Sequence, residues 1–471
     1  MHRPTARRST RCMPPRSVSA IVALACVVAG CGTEEPTSNG GTAAATSAES
    51  RTSFAPATSD TADTSDTADT ADTVSDPAST TTVATTTEDS SGDLAARGAP
   101  TGVPIRIGLV NTEGTPGLDF PELRINISAS TGYLNNHGGM GDRPIDLITC
   151  TADGSPEASQ ACAQELVGKD VELVLLGLDL FPDYATYGAA SVPVVGVLPI
   201  LPGDYTADAL FLTGGNATLM SAIASVAKDH FQARSVTIIG ADNPGANSSE
   251  ASLTAALDLA GIAHETVKGG DNETDAGFQG LMREASKGDP DLLVSLYSDA
   301  GCIGTMRARA SLGITTPVVT TGICASSDVL DEVGDDAIGW SFSGVQSPQE
   351  TPSSAILREI MAPVLGVEPS EVDSSSLGLG ALGIFEIMSL AVYADALHSA
   401  GTDVTGSAIY EYLGSSPDLT LWGSGAAVRC GVSEKYSSIC SFDFPFAEYQ
   451  PGGDVLTIPG LETVSSLDYL P

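Results

Sequence analysis

From residue 103 onward the chain alternates short, almost wholly apolar runs with amphipathic stretches, and this alternation limits the folds open to it. The apolar runs predict strands at 105–110, 145–149, 173–176, 192–197, 235–240, 264–267, 292–296 and 317–320. Between them the pattern predicts helices at 121–136, 155–169, 184–190, 217–231, 248–260, 275–287 and 301–312. Leu253, Ala256, Leu257 and Ala260 fall at i, i+3, i+4 and i+7, as do Phe278, Leu281, Met282 and Ala285, so each of these helices has one apolar face. Strands that are apolar on both sides must be covered on both sides, which means a parallel sheet with helices on each face. The alternation restarts after Asn216, which argues for two α/β lobes rather than one long sheet. Ligands of such sheets sit beyond the carboxyl ends of the strands, and two lobes facing each other across those ends make a cleft.

The region before the body reads differently. Arg3, Arg7, Arg8, Arg11 and Arg16 precede a short apolar run at 18–29, and Val28-Ala29-Gly30-Cys31 follows. This is the pattern of a secretory signal peptide over residues 1–30 ending in a lipobox. The expectation is a mature protein beginning at Cys31, acylated there (palmitate among the chains) and held at the extracytoplasmic face of the cell membrane. Each buried CH₂ contributes roughly 0.8 kcal/mol, so a multiply acylated cysteine holds where one chain would not. Residues 31–100 are rich in Thr, Ser, Ala and Asp and nearly free of apolar side chains, which predicts a disordered tether. A coil of about 70 residues has ends roughly 45 Å apart.

The formal charge is −38, and five of the basic residues belong to the leader. Nucleic acid is therefore excluded as a partner, since phosphate recognition needs a basic stripe. Outside the leader and Cys31, six cysteines remain: Cys150, Cys162, Cys302, Cys324, Cys430 and Cys440. In an exported chain an even number reads as disulfides, with fifteen connectivities open to six cysteines. Sequential pairing is the expectation, with Cys430 and Cys440 closing a C-terminal hairpin. A metal site is the weaker alternative, because no CxxC occurs and the histidines are scattered.

The order of elements resembles the type I periplasmic binding proteins, specifically the branched-chain amino-acid (Leu/Ile/Val) receptors of ABC importers. The resemblance spans roughly 103–455. It rests on Asn111-Thr112-Glu113-Gly114 after the first strand, Asn135-Asn136-His137-Gly138-Gly139, Cys150 through Asp153, Arg307 through Gly313, and a long helix at 377–399 containing Tyr393. It implies two Rossmann-like parallel-sheet lobes joined by a three-segment hinge. Lobe one would be 103–216 and 346–412, and lobe two 217–345 and 413–471. It also implies a monomer without a cofactor that captures a small-molecule solute and meets ABC permease subunits. The alternative from another class is an extracytoplasmic ligand sensor that signals to a membrane partner without transport.

Carried over position by position, the resemblance nominates Asn111, Thr112, Asp179, Phe181, Ile200, Asp242, Tyr297, Ser298, Asp299 and Thr321 as ligand contacts. The family's hydroxyls for an amino-acid carboxylate are replaced by Leu178-Asp179-Leu180-Phe181 and Pro199-Ile200-Leu201-Pro202. An acid expected near Gly322 is absent from Thr321-Gly322-Ile323. Burying an unpaired carboxylate against such apolar loops would cost several kcal/mol. A more apolar ligand, or one with hydroxyl or cationic groups for Asp179 and Asp299, fits better. The competing roles are packing for the apolar residues, a helix cap for Asp179, and, beside Asp242 and Asn243, capping of the next helix by Ser248 or Ser249. An enzyme is the minor alternative, through glycoside hydrolysis by a cleft pair such as Asp179 and Asp299; the stretch around Ser341 and Ser343 fails the GxSxG spacing and reads as a strand, and no phosphate-loop spacing occurs.

Overall fold

The computed structural model describes residues 94–114, 119–345, 350–373, 377 and 380–471. The leader, Cys31 and most of the expected tether lie outside the described residues.

A first run of elements comprises β1 (Ile105–Thr112), α1 (Pro121–Leu134), β2 (Ile145–Ala152), α2 (Pro156–Gly168), β3 (Leu173–Leu176), α3 (Tyr184–Ala189), β4 (Val194–Gly196) and β5 (Leu210–Phe211). The five strands form one parallel sheet in the order β2-β1-β3-β4-β5. The side-chain period of two divides it between two cores. Ile105, Ile107, Leu109, Leu173, Leu175 and Val195 face one way, and Val110, Val174, Leu176, Val194 and Phe211 the other. The second face is covered by α2 and α3 through Cys162, Ala163, Leu166 and Tyr187.

A second run repeats the plan with α4 (Asn216–Ser225), β6 (Ser235–Ala241), α5 (Pro244–Ala260), β7 (Ala263–Gly269), α6 (Asp275–Ala285), β8 (Leu292–Leu296), α7 (Asp299–Leu312), β9 (Val318–Thr321), α8 (Ser327–Val333) and β10 (Trp340–Ser343). Its sheet runs β7-β6-β8-β9-β10, again the first crossover on one side and the rest on the other. Val236, Ile238, Leu292 and Val294 face α4 and α5, whereas Ile239, Leu293, Val318 and Phe342 face α6, α7 and α8.

The chain then returns to the first sheet. Helices α9 (Pro352–Leu365), α10 (Gly380–Ser399) and α11 (Gly406–Ser415) cover its remaining face, with Ile356, Ile360, Ile384, Ile387 and Ile409 in the core shared with β1 and β3. α10 is long and apolar enough to cross a membrane by length and composition, but most of it is buried in this core.

Four features depart from the sequence expectation. Residues 94–100 are not tether: Leu94 is 1 % exposed in the first core, and Arg97 pairs with Asp395 of α10 at 2.6 Å. Residues 419–442, which begin with β11 (Leu419–Thr420), pack on the first sheet rather than the second: Leu421, Trp422 and Val428 join the core shared with α10, and Ile439 and Phe442 the core under α2 and α3. The second sheet is mixed, since β14 (Phe446–Tyr449) adds antiparallel to β10 and β15 (Val455–Thr457) antiparallel to β14. Cys430 and Cys440 close an irregular loop between β12 (Ala427–Val428) and β13 (Asp443–Phe444) rather than a regular hairpin. The pairing itself is sequential throughout: Cys150–Cys162, Cys302–Cys324 and Cys430–Cys440.

Three segments cross between the sheets, and they touch. Gly214 lies so close to Ser441 that a Cβ would come within 2.7 Å of its carbonyl oxygen. The N–H of Gly344 donates to Pro445 O at 2.7 Å.

Glu386 of α10 is fully buried in the first core, and both carboxyl oxygens lack a hydrogen-bond partner among the described residues. Burial pushes its carboxyl well above the usual carboxylate range. A raised folded value means that the folded state holds the proton more tightly, so stability falls as pH rises above the unfolded value of about 4.3. Glu386→Gln is therefore expected to melt like the parent near pH 4 and to gain about 1–3 kcal/mol at pH 8, read by urea denaturation at both pH values.

Candidate functional site

The strand order 2-1-3-4-5 occurs in both sheets, so each has a switch point between its first and third strands. In the first sheet the switch lies where β1 ends at Asn111-Thr112 and β3 gives way to Gly177-Leu178-Asp179. In the second it lies where β6 gives way to Asp242 and β8 to Tyr297-Ser298. Six of the ten expected contacts thus fall at the two positions where a doubly wound sheet opens a crevice.

The first switch point is braced by Asn111. Its Nδ2 donates to Phe120 O at 2.7 Å and to Glu113 Oε1 at 3.1 Å, while its Oδ1 accepts the N–H of Leu178 at 3.0 Å. Glu113 is in turn gripped by Arg124, at 2.6 Å from Nε and 2.8 Å from Nη2. The hydrogen bond from Arg124 holds the Glu113 carboxyl below its usual range. Asn111 is therefore fully engaged within its own loops. Beside it, Thr112 is buried, and its hydroxyl has no partner among the described residues.

Asp179 is not a helix cap. Its Oδ1 accepts from Ser159 Oγ of α2 at 2.5 Å and from the N–H of Phe181 at 3.2 Å, and Asp183 caps α3 instead. The residue is 3 % exposed, and its Oδ2 is buried with no partner among the described residues. Burial pushes its carboxyl up, against the lowering effect of the Ser159 and Phe181 hydrogen bonds. Asp204 adds to the rise, and Tyr184 and Tyr187 of α3 feel the Asp179 charge. Asp204 is saturated: Tyr184 donates to one oxygen at 2.8 Å, and the N–H groups of Ile200 and Leu201 donate to the other at 2.8 Å each. That bond fixes the loop carrying Ile200, which is half-buried, while Phe181 stands 41 % exposed.

On the second sheet Tyr297 is buried edge-on against Phe278, with 5.6 Å between ring centres. Its hydroxyl has no partner among the described residues, and burial, aided by Glu273 and Asp271, pushes it up to about 12. Ser298 is exposed and precedes α7, which Asp299 opens; the side chain of Asp299 lies outside the described residues. Asn243 rather than Ser248 or Ser249 caps α5, accepting the N–H of Ala246 at 2.8 Å, and the helix starts at Pro244. Asp242 is exposed beside this cap and accepts weakly from Asn247 at 3.3 Å. Thr321 ends β9, half-buried. The Cys302–Cys324 bridge ties the first turn of α7 to the turn after β9, which fixes two neighbouring loops of this wall.

Ser159, Tyr184, Tyr187 and Asp204 escaped the sequence reading. Asp204 carried a usable signal, since Pro202-Gly203-Asp204 follows β4 and an acid three residues into such a turn accepts backbone N–H groups. A groove of about 410 Å³ is lined by Glu273, Phe278, Ile303, Arg307 and Glu332 among others, but it runs among α6, α7 and α8 and contains none of the ten expected contacts. Among the described residues no group of three or more His, Cys, Asp or Glu is disposed to hold a metal ion.

A family model described as periplasmic binding protein matches residues 104–428. Among solved structures the chain is similar to an ABC transporter substrate-binding protein from Sphaerobacter thermophilus. The two are 19 % identical with a TM-score of 0.60, over 78 % of this chain and 99 % of that one. It is also similar to an R. palustris solute binding protein in complex with benzoate, at 12 % identity and a TM-score of 0.52, covering 77 % and 97 % of the two chains. A branched-chain amino acid transporter substrate binding protein from Streptococcus pneumoniae in complex with isoleucine gives 15 % and 0.51, covering 75 % and 99 %. At these identities the likeness is one of fold. The curated proteins give no match.

The unpaired Oδ2 makes Asp179 testable in the absence of ligand. Its raised folded value implies a cost that is nil well below the unfolded value of about 3.9 and complete above the folded one. Asp179→Asn keeps the acceptor for Ser159 and Phe181, so the unliganded protein is expected to gain on the order of 1 kcal/mol at pH 8 and nothing near pH 3.5, by denaturant titration.

Proposed function

The chain belongs to the periplasmic binding protein family, and from that premise we propose that it is an extracytoplasmic substrate-binding protein that captures a small organic solute for an ABC importer. The observation that carries this reading is the repeated sheet order, which supports a crevice bordered by Thr112 and Asp179 on one sheet and by Asp242, Tyr297 and Ser298 on the other. The two sheets with their helices act as lobes, and the touching crossovers at Gly214, Gly344 and Ser441 act as the hinge. Phe181 and Ile200 complete the first wall, Asp299 and Thr321 the second, and Asn111 braces the first wall from behind. A solute that touches both walls binds the closed arrangement better than the open one, and that difference drives closure.

Solved relatives of this fold carry benzoate or isoleucine, which supports a ligand of that size without specifying its chemistry. The same family supports solute capture rather than catalysis. The Val28-Ala29-Gly30-Cys31 pattern supports a lipid anchor on Cys31, with the tether lifting a monomeric body away from the membrane surface.

Two outcomes are expected. A cognate solute at 100 Kd stabilises the folded state by about 2.7 kcal/mol and lowers the radius of gyration in small-angle scattering; a stabilising solute that leaves the radius unchanged contradicts closure. Cys31→Ala moves the expressed chain from the detergent phase to the aqueous phase in a detergent-partition assay, and retention of the variant in the detergent phase contradicts the anchor.

A further inference from the structure

The charged residues of the two sheets are distributed unevenly along the strands. The loops that follow the parallel strands, where both switch points lie, carry acids from Glu113 and Asp153 through Asp204 to Asp242 and Glu273, and not one Lys, Arg or His. The bases sit at the opposite edge, in the loops that lead into strands: Arg143, Lys169, Arg234 and Lys287. Cations that approach the carboxyl edge are engaged by acids, Arg307 by Glu332 and Arg358 by Glu350 among them. Arg124 is held by Glu113, and Lys268, near the end of β7, lies 2.6 Å from Glu250 and 2.8 Å from Asn247 Oδ1.

Most acids of this edge are satisfied locally. Asp153 accepts from Ser155, Asp183 from Thr186, Asp204 from Tyr184 and two backbone N–H groups, and Glu273 from the N–H of Gly270. Asp179 is the exception: a buried carboxylate at the first switch point with one oxygen unpartnered among the described residues. Helix N-termini also face this edge and would favour an anion, but four of them already carry a side-chain acceptor. Ser155, Asp183, Asn243 and Thr274 each accept one free N–H at the start of α2, α3, α5 and α6, α7 begins with an acid of its own at Asp299, and α1 starts at Pro121 without a side-chain cap.

We infer that the solute is an organic cation, an amine with an apolar body, whose ammonium is received by Asp179. This rests on the reading of the crevices as a solute site and adds the class of solute. A carboxylate entering the same space would meet a field of like charge, with Arg124 at the first switch point already taken by Glu113, whereas an ammonium supplies the donor that Asp179 Oδ2 lacks. Thr112, with its own unpartnered hydroxyl at the same switch point, supplies a second acceptor. The ammonium would also lower the Asp179 carboxyl, offsetting the rise that burial imposes.

The test compares ligands matched in body and differing in charge. The full chain is titrated by calorimetry and thermal shift at pH 7.5 with isopentylamine, phenethylamine and benzylamine, and in parallel with leucine, phenylalanine, benzoate and benzyl alcohol. The expected result is that at least one amine binds tenfold or more tightly than its carboxyl-bearing and alcohol counterparts. Asp179→Asn is expected to weaken that amine at least tenfold while keeping or raising the unliganded melting temperature. An amino acid or benzoate that binds more tightly than its amine overturns the inference and leaves the solute-binding reading standing, as does an alcohol that matches its amine. Amine binding unaffected by Asp179→Asn overturns the role of that residue. A panel silent throughout overturns the cation assignment, and the scattering measurement with other solutes then decides the solute-binding reading separately.

Discussion

Everything in this molecule follows from the need to cover parallel strands on both faces. β1 and β3 carry apolar side chains at successive positions, so no orientation of the strand leaves a face fit for water. Helices are forced to both sides of each sheet, joined by crossovers of the kind that favours one hand. Two consequences follow at the site. The strands all end at one edge, which gathers their loops. The chain must also start each sheet in the middle and wind outward in both directions, which parts the loops after the first and third strands. Thr112 and Asp179 sit in one such parting, and Tyr297 and Asp242 in the other.

The same constraint explains what the sequence disclosed and what it withheld. The strands were legible because their apolar runs are uninterrupted: 173–176 and 292–296 fall where expected, residue for residue. The sequential cysteine pairs were legible because each joins elements adjacent in the winding. The start of α5 was missed because its apolar period begins only at Leu253, although Asn243 followed by Pro244 is a helix-start pattern. The antiparallel extension of the second sheet was missed because β14 and β15 are short and flanked by proline and glycine, with pairing set by distant β10. For the site, position was legible and chemistry was not. The partners that decide what Asp179 and Asn111 can do, Ser159, Phe120 and Leu178, are named by the fold rather than by any local pattern.

Charge is organised more strictly than the overall acidity suggests. A net −38 makes copies of the chain repel one another but does not by itself dictate where the bases go. Those that remain serve mainly as struts. Arg143 joins Val103 O, Pro104 O and Val404 O to the Glu172 carboxylate. Arg309, nearly fully buried, binds the carbonyl oxygens of Thr316 and Ile338 and so locks the end of α7 to the turn before β10. Such guanidinium braces satisfy backbone oxygens that helix and strand ends leave open.

The docking of residues 94–98 has a mechanical consequence. The body receives its N-terminal chain at the amino edge of the first sheet, where Leu94 is buried, Arg97 pairs with Asp395, and Gly98 O accepts the N–H of Gly138. Thr101 then binds Asp142 through its N–H and its hydroxyl. Any tug transmitted from upstream is taken up by this clasp and shed into α10 and the turn at 138–142, before it can reach β1. The strand whose far end lies at the first switch point is thereby anchored separately from the chain that enters at residue 94.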